Sequence, residues 1–137
     1  MTNEEFMKGF EDCTLPSECF PHREHVRLGW LYLRRHSVLE ALAKFSIGLK
    51  QFAAAHGAAG RYHETITWAF LFLIHERIEV DETVEDWEDF AAANPDLLDW
   101  PNNILKSLYR EETLQSERAR RFFVLPDSRR EVVSDER

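Results

Sequence analysis

Three histidines in the chain have the spacing and setting of ligands for one metal ion. His22 and His25 stand three positions apart in the stretch PHREH, so on a helix both imidazoles lie on one face. His63 stands near the start of a second helical stretch, RYHETITWAFLFLIHERI. If the two stretches are neighbours, the imidazoles form an open triad with one position left for water or substrate. The sequence therefore predicts a divalent transition metal at His22, His25 and His63.

Polar residues beside these histidines are the candidates for the accompanying chemistry. Glu64 directly follows the third histidine and is the candidate catalytic residue, because a carboxylate there could move protons. Tyr62 and Thr67 are candidates for orienting the metal ligands or contacting a substrate. Arg23 and Arg27 lie beside the first histidine pair and would attract a small anionic molecule. One hypothesis is thus a metal-dependent enzyme that acts on such a molecule.

Every histidine also has a structural interpretation. A histidine at a helix start often caps the helix, and His63 can equally be a hydrogen-bonded core residue. His36 and His56 stand at predicted helix ends, where a cation is favourable. His75 lies 11 positions after Glu64, which is ~16 Å of helical rise, so the two cannot share an ion. The second hypothesis is therefore a non-catalytic helical module that binds a partner or forms a homodimer, with structural histidines.

Other catalytic motifs are missing from the sequence. It contains no HExxH and no ExxH, so the usual zinc-protease and di-iron carboxylate sites are unsupported. It contains no glycine-rich nucleotide loop and no GxSxG. Cys13 and Cys19 form no CxxC, and we expect free thiols in a reducing compartment. We therefore expect a cytoplasmic protein.

Composition and charge limit the partners. A chain of 137 residues with a net charge of −8 is expected to be one domain that binds neither nucleic acid nor an anionic membrane. The first twenty residues lack the long apolar region of a signal peptide. The central apolar run, Trp68 to Ile74, has seven residues, far fewer than the ~20 that span a bilayer. The expected partner is a small molecule or a second copy of the chain.

The charges are unevenly distributed along the chain. Seven Lys or Arg face two acids between Phe20 and Arg61, whereas nine acids and no base lie between Glu79 and Asp99. One interpretation is that the acidic helix lies near the basic helices within the molecule. The other is an anion site around Arg23, Arg27 and Arg61, or two faces that pair in an oligomer.

Helical periodicity predicts the elements that must position the histidines. The fold class is all-α, a compact array of five to seven helices around a central buried helix at about 61–78. Residues 1–127 form one domain, and about 128–137 form a frayed tail. The other predicted helices are 3–11 with Asn3 as its cap, about 22–36, about 38–55 capped by Ser37, an acidic helix from Asp81 or Thr83 to Asn94, about 102–110, and a short one after Ser116.

Five stretches resemble a group of small bacterial proteins of uncharacterised function. The stretches are FPHREHVRLGWLYLRR, FAAAHG, RYHETITWAFLFLIHER, ANPDLLDW and ARRFFVLPD, which together span about residues 20–126. The group shows similar HxxHV…WLYL, YHxT and ARRFFVLPD-like segments. The resemblance implies a compact helical bacterial protein, and its motifs fall on His22, His25 and His63.

Overall fold

The computed structural model describes residues 1–128, and these contain eight α-helices and no β-strand. Five of the eight helices have seven residues or more, which confirms the predicted all-α array. The helices are α1 Asn3–Glu11, α2 His22–Arg35, α3 Val38–Ala55, α4 Glu64–Val80, α5 Trp87–Ala93, α6 Pro95–Leu98, α7 Glu111–Leu114 and α8 Glu117–Arg121. Of the predicted tail, only Ser128 belongs to the described residues, and the rest lies outside them.

The first three helices begin and end within one residue of the predicted positions, because local signals define them. Ser37 caps α3 by accepting the N–H of Glu40, in a reciprocal capping box. The cap of α1 is Thr2 and not the predicted Asn3. Asn3 is unavailable as a cap, since its Oδ1 accepts two hydrogen bonds from Arg27, at 2.6 and 3.2 Å.

The later helices differ more from the prediction. The acidic helix begins at Trp87, because Asp86 caps α5 while Asp81 closes a separate turn with Thr83. The predicted helix at about 102–110 is instead a single 3₁₀ turn, Ile104–Ser107. A proline and two asparagines precede that turn, and these are poor helix formers.

Helix α4 occupies the central position and packs against α2, α3 and α8. It begins at Glu64 and not near Arg61, because the preceding residues Ala59–Arg61 form a 3₁₀ turn and His63 is the N-cap. Its buried residues lie on several faces, as expected for a helix whose middle, Trp68–Ile74, is wholly apolar. Its outer side is less covered, and Phe72 is 39% exposed.

The acidic segment lies against α2, as one interpretation of the charge pattern predicts. Arg23 pairs with Glu88 of α5 at 3.0 Å, and Arg34 donates to the Val84 carbonyl oxygen at 3.2 Å. The Arg23–Glu88 pair favours charge complementarity within the molecule, whereas Arg34 binds a neutral carbonyl. Because the ion pair is exposed to solvent, it orients the segment more than it stabilises it. None of the helices in residues 1–128 combines the length and the apolar character needed to cross a membrane.

Residues 122–128, here called the C-terminal strap, run across the start of α4. The fully buried Thr65 donates from its hydroxyl to the Phe122 carbonyl at 2.7 Å and accepts the N–H of Val124 at 3.1 Å. The hydroxyl of Tyr109 donates to the Val124 carbonyl at 2.6 Å. The Phe122 carbonyl and both backbone groups of Val124 therefore depend on side-chain partners, whereas the N–H groups of Asp127 and Ser128 donate to the Leu108 carbonyl oxygen.

Thr65→Val tests this attachment, because it keeps the shape of the side chain and removes both hydrogen bonds. We expect the free energy of unfolding to fall by about 1–3 kcal/mol, since two backbone groups lose their partner. Urea unfolding followed by circular dichroism measures the change. Thr14→Val at an exposed position is the control, with an expected change within about 0.5 kcal/mol. Equal effects of the two substitutions would contradict the role of Thr65.

Candidate functional site

A cavity of about 500 Å³ lies between helices α2, α3 and α4 and the linker before α2, residues 12–21. All three histidines of the predicted triad line it. Its walls are mainly apolar and include five large aromatic side chains: Phe20, Phe45, Phe52, Phe70 and Trp100. The polar residues that line it are Ser17, His22, His25, His56, Arg61, Tyr62, His63 and Thr67.

His22 stands in the first turn of α2 and reaches across to Leu97 of α6. Its Nε2–H donates to the Leu97 carbonyl oxygen at 2.9 Å. Its ring lies 4.8 Å, centroid to centroid, from both Phe70 and Trp100. This apolar setting lowers the pKa of His22, so the ring is neutral at pH 7. Nδ1 then carries a lone pair that has no hydrogen-bond partner among residues 1–128.

His25 lies one turn further along α2, beside the same cavity. Its Nδ1–H donates to the Pro21 carbonyl oxygen at 3.0 Å, and its ring stacks on Phe20 with centroids 4.0 Å apart. Burial lowers the pKa of His25 to about 4. The neutral ring keeps a lone pair on Nε2, and nothing within the described part of the chain donates to it.

His63 is the N-cap of α4, and both of its ring nitrogens are engaged. Nδ1 accepts the N–H of Ile66 at 3.1 Å, and Nε2–H donates to the Leu114 carbonyl oxygen at 2.8 Å. Burial, with a smaller contribution from nearby Arg120, lowers the pKa of His63. A metal ligand needs a free lone pair, so His63 could bind an ion only after one of these bonds breaks. The metal triad stays a prediction.

No group of three or more His, Cys, Asp or Glu side chains within residues 1–128 is arranged to hold a metal ion. The cavity does contain a fourth histidine that the sequence interpretation placed only at a helix end. The Nδ1 and Nε2 of His56 lie 3.0 Å from the carbonyl oxygens of Phe52 and Leu15, respectively. A neutral imidazole can donate to only one of these at a time. His56 thereby joins the end of α3 to the linker before α2.

The predicted substrate-binding arginines of α2 have partners outside the cavity. Arg23 pairs with Glu88. Arg27 donates to Asn3 and forms a salt bridge of 3.0 Å with Glu24, and neither arginine lines the cavity. Arg61 is the arginine that lines it. Its place in the short link between α3 and α4 is the signal by which the sequence could have singled it out.

Tyr62 and Thr67, the other two predicted substrate-binding residues, line the cavity, whereas Glu64 lies behind Tyr62. The Tyr62 hydroxyl donates to Glu64 Oε1 at 2.6 Å, and the Thr67 hydroxyl donates to the His63 carbonyl oxygen at 2.7 Å. Burial and the Glu64 carboxylate both raise the pKa of Tyr62, so the phenol stays protonated. The contact of Glu64 with the cavity is therefore indirect, through Tyr62.

Comparison with known proteins found no matching family model, no matching curated protein and no matching solved structure. The resemblance to the group of small bacterial proteins stays a prediction. Function is therefore argued from the cavity and the side chains that line it.

The lowered pKa values of His22, His25 and His63 predict acid sensitivity. Unfolding restores each pKa towards the ordinary value of 6.5. As the pH falls below that value, the three histidines become protonated in the unfolded chain but stay neutral in the folded protein. The stability that is present above pH 6.5 is therefore lost as the pH falls towards about 4, the folded pKa of His25.

His25→Asn tests the largest of these contributions, because asparagine can keep the hydrogen bond to Pro21 but cannot be protonated. One unit of pKa corresponds to about 1.4 kcal/mol, so His25 contributes up to roughly 3 kcal/mol of the acid loss. Urea unfolding at pH 7 and pH 4.5 measures the loss, which we expect to be smaller in the variant than in the wild type. An identical loss in both proteins would show that His25 is not held neutral.

Proposed function

We propose that the protein binds a small, mainly apolar molecule in the cavity at the N-terminal ends of α2 and α4. One observation carries the proposal: the cavity has a volume of about 500 Å³ and an aromatic wall, with a few polar groups that converge on it. Ligand sites for small molecules usually have ~300–1,000 Å³ and this mixture of apolar walls and sparse polar groups.

The two neutral imidazoles of α2 indicate what the bound molecule offers. His22 Nδ1 and His25 Nε2 are acceptors without a partner among the described residues. A ligand with an N–H or O–H group could donate to one of them, which would orient it against the aromatic walls. The hydrogen bonds to Leu97 and Pro21 already hold these rings, so little side-chain freedom is lost on binding.

Binding of indole tests the cavity directly, because indole has an apolar body and one N–H donor. We expect saturable shifts in the ¹H–¹⁵N spectrum for residues that line the cavity. The variant Ala53→Phe places a ring in the cavity and should weaken binding at least about tenfold, which is ~1.4 kcal/mol.

Ala54→Phe is the matched control, because Ala54 is an exposed neighbour on the same helix and does not line the cavity. It carries the same change in helix propensity as Ala53→Phe. We expect it to bind indole as the wild type does, and 1-methylindole, which lacks the donor, to bind the wild type more weakly. Equal binding of indole by both alanine variants would overturn the proposal.

A divalent transition metal at the same place is the second candidate. The observation that favours it is that His22 and His25 each have an unused ring nitrogen and line one cavity. Neutral imidazole is the form that binds such ions. His63 would become the third ligand by giving up its bonds to Ile66 and Leu114, and Glu64 would move protons through Tyr62.

Elemental analysis of protein grown in zinc-supplemented medium tests the metal site. The proposal predicts one zinc per chain in the wild type and its loss in His22→Ala, His25→Ala and His63→Ala. His75→Ala is the control, since His75 does not line the cavity and should leave the zinc content unchanged. Substoichiometric zinc in the wild type would rule out this candidate and leave the small-molecule proposal in place.

A further inference from the structure

The charge of the cavity wall differs from that of the whole protein. The chain has 25 Asp and Glu residues and a net charge of −8, yet no carboxylate lines the cavity. Arg61 lines it, is exposed, and forms no salt bridge with any carboxylate of residues 1–128. A cationic ligand would find no counter-charge in such a site, whereas an anionic one would find an unpaired guanidinium.

Other cations contact Gly60 and Tyr62, the residues on either side of Arg61. The ammonium of Lys50 is 5.4 Å from the ring centroid of Tyr62, which lines the cavity, and Lys50 has no salt bridge within the described chain. Arg120 donates to the Gly60 carbonyl oxygen at 3.3 Å, but Glu117 already neutralises it. The side of the cavity near the α3–α4 link is therefore positive in a protein that is acidic overall.

The remaining polar wall limits where a negative charge can sit. His22 and His25 turn no N–H group towards the cavity, because each uses its protonated nitrogen for a backbone carbonyl. Their unused lone pairs would repel a second anionic group. A phosphate or dicarboxylate would also leave charge against the aromatic wall, where desolvation is costly. A single negative charge at one end of an apolar body fits this distribution.

We propose that the ligand is a small monocarboxylic acid with an aromatic or other apolar body, its carboxylate held by Arg61. This inference rests on the proposed function of the cavity as a small-molecule site. The planar guanidinium can bind both carboxylate oxygens at once, which a lone ammonium cannot do. The body of the ligand then lies along the aromatic wall, and a donor group on it reaches His22 or His25.

Indole-3-acetate and its neutral amide, indole-3-acetamide, test the charge requirement, because they differ in a single group. We expect titration calorimetry to show the acid binding at least about tenfold more tightly than the amide at low salt. Arg61→Gln should reduce binding of the acid to the level of the amide and leave the amide unchanged. Arg118→Gln, at an exposed position outside the cavity, is the control and should change neither. Raising the salt concentration should weaken the binding of the acid and leave the binding of the amide unchanged.

Two outcomes would overturn the inference without touching the cavity itself. If the acid, the amide and indole bind the wild type with equal affinity, the carboxylate does not contribute to binding. The cavity would then still be a small-molecule site. If Arg61→Gln lowers the affinity for the acid and for the amide equally, Arg61 supports the cavity wall and does not bind the carboxylate. If none of the three compounds binds and Ala53→Phe changes nothing, the proposed function fails together with the inference.

Discussion

Hydrogen bonds between histidine rings and distant backbone carbonyls connect the segments that surround the cavity. They join His22 to Leu97, His56 to Leu15 and His63 to Leu114, pairs that lie 75, 41 and 51 positions apart in the sequence. The accepting carbonyl groups belong to the short helices α6 and α7 and to the linker before α2, where backbone groups have few regular partners. Histidine, the residue type that suggests a metal site, therefore connects distant segments of the chain through hydrogen bonds.

These ties also determine the chemistry that the cavity can offer. A ring that gives its one proton to a carbonyl has only a lone pair left for a ligand, and apolar neighbours keep the ring neutral. His22 and His25 are in this state. In His63 the second nitrogen, Nδ1, accepts the N–H of Ile66 and so caps α4. His22 and His25 therefore add no positive charge to the cavity, whereas the guanidinium of Arg61 does.

The sequence predicts what local signals determine. Ser37 and the apolar steps of α3 define that helix without help from the rest of the chain. Several acids in the acidic segment can act as caps, so the sequence predicts a start at Asp81 or Thr83, whereas α5 begins after Asp86, at the buried Trp87. The spacing of the histidines predicts that they are related, but the engagement of both nitrogens of His63 depends on a carbonyl 51 positions away. That Arg61 and not Arg23 lines the cavity likewise depends on tertiary contacts, since Arg23 forms a salt bridge with Glu88.

The tautomers of the cavity histidines test this account most directly. Long-range ¹H–¹⁵N spectra of the imidazole rings at pH 7 report which nitrogen carries the proton. We expect single, non-averaged tautomers: Nε2–H for His22 and His63, and Nδ1–H for His25. Rapidly averaged tautomers at His22 and His63 would contradict this expectation, because such rings would not be tied to Leu97 and Leu114. Charged rings would contradict it as well, because burial is expected to keep both rings neutral.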